Sequence, residues 1–192
     1  RGKHLYSEVE NLELIHTDLF AYQPDLPFDL ITSARVLQWL KDPTAALEKF
    51  KTMLRPGGYI SILDYDHTSL EWQPAPPQSM QHLYAQFLQW RADVGMNNQM
   101  AEDLPRFFQE IGLEAIEVID ANETYRRGAA NFLPKIGIWT KVAESRGKQL
   151  VEDGYLTEAE RLQAIAEYEA WIAAESEQMI MKLKEVRGRV RQ

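Results

Sequence analysis

Apolar residues gather in short β-rich runs along the first third of the chain and recur at helical spacing along much of the remainder. Leu12 to Thr17 (LELIHT), Phe28 to Thr32 (FDLIT) and Tyr59 to Asp64 (YISILD) have the length and content of strands. Asp18 closes the first. Turn-forming stretches, Gln23-Pro24-Asp25-Leu26-Pro27 and Arg55-Pro56-Gly57-Gly58, precede the other two. Glu114 to Ile119 alternates as a fourth strand, and Met179 to Lys184 as a last one, with a continued helix as the alternative for that tail.

Helices are marked by their caps. Asp42 followed by Pro43 opens a helix carrying Leu47, Phe50 and Leu54 at helical spacing, ended by Pro56-Gly57-Gly58. Val36 to Leu40 forms a short helical turn before it. Thr68 to Pro77 reads as a loop leading into a helix over Gln78 to Val94 with Leu83, Phe87, Trp90 and Val94 on one face, and a further helix over Asp103 to Ile111 stops at Gly112. Ala129 to Glu177 is mostly helical: Thr157 to Glu160 is a capping-box sequence, and Leu162, Ile165, Tyr168, Trp171 and Ile172 line a stripe behind it. Strand, helix, strand with short connections predicts an α/β fold built on a parallel sheet.

Composition fits a soluble globular domain, with 45% hydrophobic and 26% charged residues among 192. A net charge of -8 argues against duplex nucleic acid as a partner. No apolar run approaches the roughly 18 residues of a membrane span, and the first ten residues lack the hydrophobic stretch of a signal peptide. The absence of cysteine excludes disulfides and thiol chemistry, and a cytoplasmic location is the expectation. His16 with Asp18 makes no metal site, since a third ligand is missing.

Ligands of open α/β sheets bind beyond the carboxyl ends of the parallel strands. Asp18, then Ser33-Ala34-Arg35, then Asp64-Tyr65-Asp66-His67 follow the three strands, so these clusters are expected to converge on one edge.

Leu14 to Asp18, Phe28 to Thr32, Val36 to Leu40 and the Leu54-Arg55-Pro56-Gly57-Gly58-Tyr59-Ile60 step stand in an order and spacing that resembles the class I S-adenosylmethionine-dependent methyltransferases. The branch it resembles includes the quinone-biosynthesis and small-molecule enzymes. The resemblance covers residues 12–119 tightly and 129–189 loosely. It implies a Rossmann-like sheet with helices on both faces and an antiparallel final strand, with helical substrate-side inserts at 68–100 and 129–177. It implies S-adenosylmethionine as cofactor and a small-molecule acceptor, with no membrane or nucleic-acid partner, and leaves the oligomeric state open. A non-catalytic methyltransferase-like binding module is the alternative, and a nicotinamide-dependent dehydrogenase ranks behind both.

By the same resemblance, Asp18 accepts a hydrogen bond from the adenine amino group beside the backbone N–H of Leu19, although Asp18 also suits a strand terminator. Ser33, Arg35 and Gln38 would line the cofactor, and Tyr65, Trp72, Trp90 and Arg91 the substrate. His67 is the candidate general base, chosen for its place at a strand mouth and a pKa that is near neutrality when unperturbed; a solvated loop histidine is the plain alternative.

The family's glycine-rich loop and the acidic residue of its second strand have no counterpart, because none of the ten glycines forms a G-x-G. The chain therefore reads as the C-terminal portion of a methyltransferase domain. Leu12 to Thr17 should then not neighbour Phe28 to Thr32, and the isolated chain is expected to be inactive.

Overall fold

In the computed structural model, which describes residues 5, 6 and 8–191, a five-stranded sheet forms the frame. β1 (Phe28–Ala34) leads through a 3-10 turn (Leu37–Trp39) and α1 (Pro43–Thr52) into the long β2 (Leu54–Gln73). α2 (Gln78–Asp93), α3 (Met100–Glu110), β3 (Glu114–Asp120) and β4 (Glu123–Arg126) follow, then α4 (Phe132–Ile136), α5 (Ile138–Glu152), α6 (Glu158–Ala174) and β5 (Gln178–Arg189). The sheet order is β1-β2-β5-β3, with β4 also on β5. β1 and β2 are parallel, and β5 runs antiparallel to all its neighbours.

The β1-α1-β2 crossover is the predicted one, and its cap is present: Asp42 Oδ1 accepts from the Ala45 amide at 2.9 Å, with Pro43 at the position where no N–H is needed. β2 starts earlier than its apolar run. Phe28 pairs with Leu54 and Leu30 with Tyr59, so the residues between Leu54 and Tyr59 bulge out of the ladder, and Gly57 takes the positive φ (75°) this requires. β2 also ends later. The stretch expected as a loop from Thr68 stays in the sheet through Gln73, where Glu71, Trp72 and Gln73 pair with Ile180, Met179 and Gln178; the loop begins only at the proline cluster.

One expectation is corrected outright. Residues 12–17 are not a strand, carry no regular secondary structure and enter no ladder, with Leu12 and Ile15 exposed. A β-rich run becomes a strand only when a neighbour takes up its backbone groups. β1 pairs on one side with β2, and its other side is an open edge among the described residues.

Two cores meet the sheet. One face receives α1 and α3, where Ala46, Leu47, Phe50, Leu104 and Phe108 pack on Ile60, Ile62 and Val186. Gly188 permits this closeness: a Cβ there would stand 2.7 Å from the Phe108 ring. The second core gathers α2, α4, α5 and α6 over the upper part of β2, β4 and β5, around Phe87, Trp139, Tyr168, Trp171 and Met179. The capping box forms as read, but the buried stripe of α6 runs through Arg161, Ala164, Tyr168 and Trp171, which turns Leu162 out to solvent. The lower part of that face stays uncovered, leaving a groove of about 500 Å³ lined by Leu30, Thr32, Tyr59, Ser61 and Arg187.

Candidate active site

The carboxyl end of β1 lies beside the middle of β2, because the ladder runs in register from Leu30–Tyr59 to Ala34–Leu63 and the Arg35 amide continues it onto the Leu63 carbonyl at 2.8 Å, while β2 runs on to Gln73. Arg35 then turns the chain with φ at 62°, a left-handed conformation costly for a residue with a Cβ. Its guanidinium leans over the Tyr65 ring at 5.1 Å and pairs with Glu123 of β4. The second Glu123 oxygen accepts from Tyr125 Oη at 2.5 Å. Arg35 Nε is buried without a partner. Burial pushes the Tyr65 phenol up to about 12, and burial with Glu123 raises Tyr125.

Beneath this surface lies a closed polar network. Asp64, fully buried, accepts from Gln38 Nε2 at 2.7 Å and from the Gln38 and Tyr65 amides at 3.2 and 2.9 Å. Desolvation raises its pKa to about 6, against the lowering effect of these bonds and of Arg91. Arg91, also fully buried, donates to Asn98 Oδ1 at 2.7 Å, the Gln38 carbonyl at 3.0 Å and the Asn97 carbonyl at 3.2 Å, and stacks on Trp39 at 4.5 Å. Its Nη1 has no partner. Burial lowers its pKa to about 10.

His67 is not a loop residue. It lies within β2, 7% exposed, between Tyr65, Phe87 and Trp139, with Nε2 2.5 Å from Gln38 Oε1. Its carbonyl accepts from Tyr84 Oη at 2.6 Å and its amide donates to the Asn98 carbonyl at 2.8 Å. Burial first, and Arg91 second, lower its pKa to about 3, so the ring is neutral throughout the physiological range. The near-neutral pKa that singled it out in the sequence belongs to a solvated imidazole, and this one is desolvated.

Arg35, Gln38, Tyr65 and His67 therefore come together, joined by Glu123 and Tyr125. Ser33 stands half-buried on β1 opposite Ile62. Asp18 ends the preceding segment, its Oδ1 accepting from the Phe20 and Ala21 amides at 2.8 and 3.2 Å, and Leu19 packs at the edge of the core beneath α1 and α3. Trp90 is buried and donates to Asp153 at 2.8 Å; Trp72 is half-buried and donates to Tyr168 at 3.0 Å. Trp90 and Arg91 are buried, whereas Trp72 also lines a groove with Thr68, Leu70 and Tyr84. Among the described residues no cluster has the ligands for a metal ion, and no helix is long and apolar enough to cross a membrane.

A parallel β1-α1-β2 crossover with an antiparallel β5 beside it, and polar clusters at one carboxyl edge, defines a Rossmann-like methyltransferase sheet. A methyltransferase-domain family model matches residues 4–118, over half of the chain, and the chain belongs to that family, the class I S-adenosylmethionine-dependent methyltransferases. It is 39% identical over 64 residues to trans-aconitate 2-methyltransferase of Azoarcus sp. (strain BH72), a match covering 32% of this chain and 25% of that protein. It is 36% identical over 59 residues to tRNA 5-carboxymethoxyuridine methyltransferase of Escherichia coli (strain K12), covering 30% and 23%. These matches span about a quarter of the curated relatives' length. Among solved structures, the YcgJ protein of Bacillus subtilis superposes with a TM-score of 0.56 at 16% identity, over 99% of this chain and 76% of that one.

S-adenosylmethionine is the cofactor of this family. Asp18 keeps one carboxylate oxygen outside its turn for a donor, but Gln38 has its amide committed to Asp64, His67 and Arg91, and the paired glycines, Gly57 and Gly58, lie at the opposite, amino end of β2. None of the glycines stands in a G-x-G turn, the form expected of the family's cradle for the methionine portion.

Proposed function

We propose that this chain supplies the acceptor side of a methyltransferase whose substrate is a small molecule bearing a carboxylate, and that it acts in the cytoplasm. The observation that carries the reading is Arg35. A guanidinium held at the end of β1 in a left-handed backbone conformation, stacked on Tyr65, part-exposed and paired with the Glu123 carboxylate, is suited to a planar anion. The names of two relatives, trans-aconitate and 5-carboxymethoxyuridine methyltransferases, support the same chemistry, since both substrates carry carboxylates. The net charge of -8 weighs against the RNA that the second name implies.

The cofactor, when bound, supplies a sulfonium-activated methyl group. What this chain adds is placement: Asp18 and the Leu19 amide toward the adenine, Ser33 along β1, Arg35 on the acceptor's anion, Tyr65 and His67 as the neighbouring wall. Holding an acceptor in line with water excluded accounts for much of the acceleration in such transfers. Because the cradle for the cofactor's other end is missing from the described residues, these 192 residues alone are proposed neither to bind the cofactor measurably nor to transfer a methyl group. A non-catalytic binding module is the second reading, favoured by that same missing cradle.

The acceptor reading is tested by titrating citrate into isotope-labelled protein and following side-chain and backbone NMR signals. Citrate should move Arg35, Tyr65 and Glu123, and Arg35→Met should abolish the response, whereas Arg187→Met, remote on the sheet, should keep it. A response that survives Arg35→Met, or none at all, would overturn the assignment. Saturable shifts on adding tRNA, sensitive to Arg35→Met, would transfer it to the nucleic-acid class.

A further inference from the structure

The polar network fixes more than its own geometry. Arg91 can only donate, and its Nη2 points at Gln38 Oε1 (3.3 Å); Asp64, when ionised, can only accept, and its Oδ1 stands 2.7 Å from Gln38 Nε2. The Gln38 amide therefore has one admissible orientation, with Oε1 as an acceptor. His67 Nε2, 2.5 Å from that oxygen, must then carry the hydrogen. Nδ1 is left as the ring's lone-pair nitrogen. It has no hydrogen-bond partner among the described residues, in a ring that is 7% exposed.

We infer that Gln38 is a positioning residue that holds His67 as the neutral Nε2–H tautomer, so that an acceptor molecule meeting His67 must offer Nδ1 a hydrogen-bond donor such as a hydroxyl. The tautomer follows from the network alone, and only the contact with an acceptor rests on the reading given above. The arrangement gives specificity in addition to the carboxylate anchor: an acid with a hydroxyl satisfies both Arg35 and His67, and an acid without one leaves Nδ1 unpaired on binding. The charged and titratable groups around the ring are Asp64, Tyr65 and Asp66 on its own strand and Tyr84 and Arg91 on α2; α5 contributes Trp139, which does not titrate.

Two-bond proton–nitrogen correlation spectra of protein labelled in its histidines decide the matter. For His67 the expected pattern is one protonated nitrogen, Nε2, and one unprotonated nitrogen, Nδ1, unchanged from about pH 5 to pH 8. Gln38→Leu should convert this to tautomer-averaged nitrogens that still do not titrate over that range, and Gln38→Glu, which restores an acceptor oxygen, should return the Nε2–H pattern. A wild-type spectrum with hydrogen on Nδ1 or on both nitrogens overturns the inference, as does an unaltered tautomer in Gln38→Leu. Should Gln38→Leu fail to fold, the wild-type and Gln38→Glu spectra still decide. Citrate and tricarballylate, which has the three carboxylates but no hydroxyl, separate the two claims. Both should move Arg35, and only citrate should move Nδ1. Equal effects of the two acids on Nδ1 overturn the donor requirement, whereas silence at Arg35 overturns the carboxylate reading and leaves the tautomer to its own spectra.

Discussion

Replacing Arg91 with methionine is expected to destabilise the protein by about 3–5 kcal/mol, the scale on which removal of one partner of a buried charge network acts. The guanidinium is fully buried, and its loss strips a donor at once from Asn98 Oδ1, from the Asn97 carbonyl and from the carbonyl of the buried Gln38. It also removes the cation that restrains the Asp64 pKa, so that carboxyl rises above its present value of about 6. Arg91→Lys should recover part of the loss. A single ammonium restores charge but cannot span the three acceptors that a planar fork reaches. Denaturant midpoints of the parent and both variants give the answer, and a change below about 1 kcal/mol for Arg91→Met would mean that the network contributes little.

The second large effect is a pair of opposed pH dependences. Asp64 holds its proton more tightly folded (about 6) than unfolded (near 3.8), so the stability it contributes declines as pH rises from about 4 to 6. His67 is the reverse: the unfolded imidazole, near 6.5, takes a proton that the buried one refuses down to about 3, so stability climbs as pH rises across that span. Over about pH 4–6 the two slopes, each near 1.4 kcal/mol per pH unit, cancel. Asp64→Asn should remove the declining branch, giving a variant that gains up to about 3 kcal/mol relative to the parent between those pH values. His67→Gln should remove the climbing branch and lose ground over the same interval. Urea unfolding at a series of pH values reads both differences. Curves that stay parallel to the parent would show that neither group is perturbed.

Much of this was legible in the chain. The β1-α1-β2 crossover, the Asp42 cap and the α6 capping box follow from local rules, the antiparallel β5 followed from the family resemblance, and local rules also place Arg35 past the end of β1, whereas Asp64 and His67 lie within β2. What escaped depended on distant partners. Leu12 to Thr17 has strand content, but pairing is not a local property. His67 lies in an Asp-Tyr-Asp-His stretch whose charge suggests a loop, yet Asp64 and Asp66 are buried because Gln38 and Thr68 satisfy them. Gln38 itself was the missed signal: a lone amide inside the apolar run Val36 to Leu40 needs buried partners. Glu123 and Tyr125 lie on a four-residue strand too short to announce itself by alternation, and only β5 gives it a place.

The central claim is that these residues supply the acceptor side and one end of the cofactor site without the cradle for the other. Titration of S-adenosylhomocysteine into the same labelled sample whose Arg35 signal responds to citrate tests it most directly. The expected result is citrate binding with no saturable shift at Asp18, Leu19 or Ser33 on adding S-adenosylhomocysteine. Micromolar binding that moves those residues and is lost in Asp18→Ala would contradict it, and would mean that the backbone already present holds the whole cofactor.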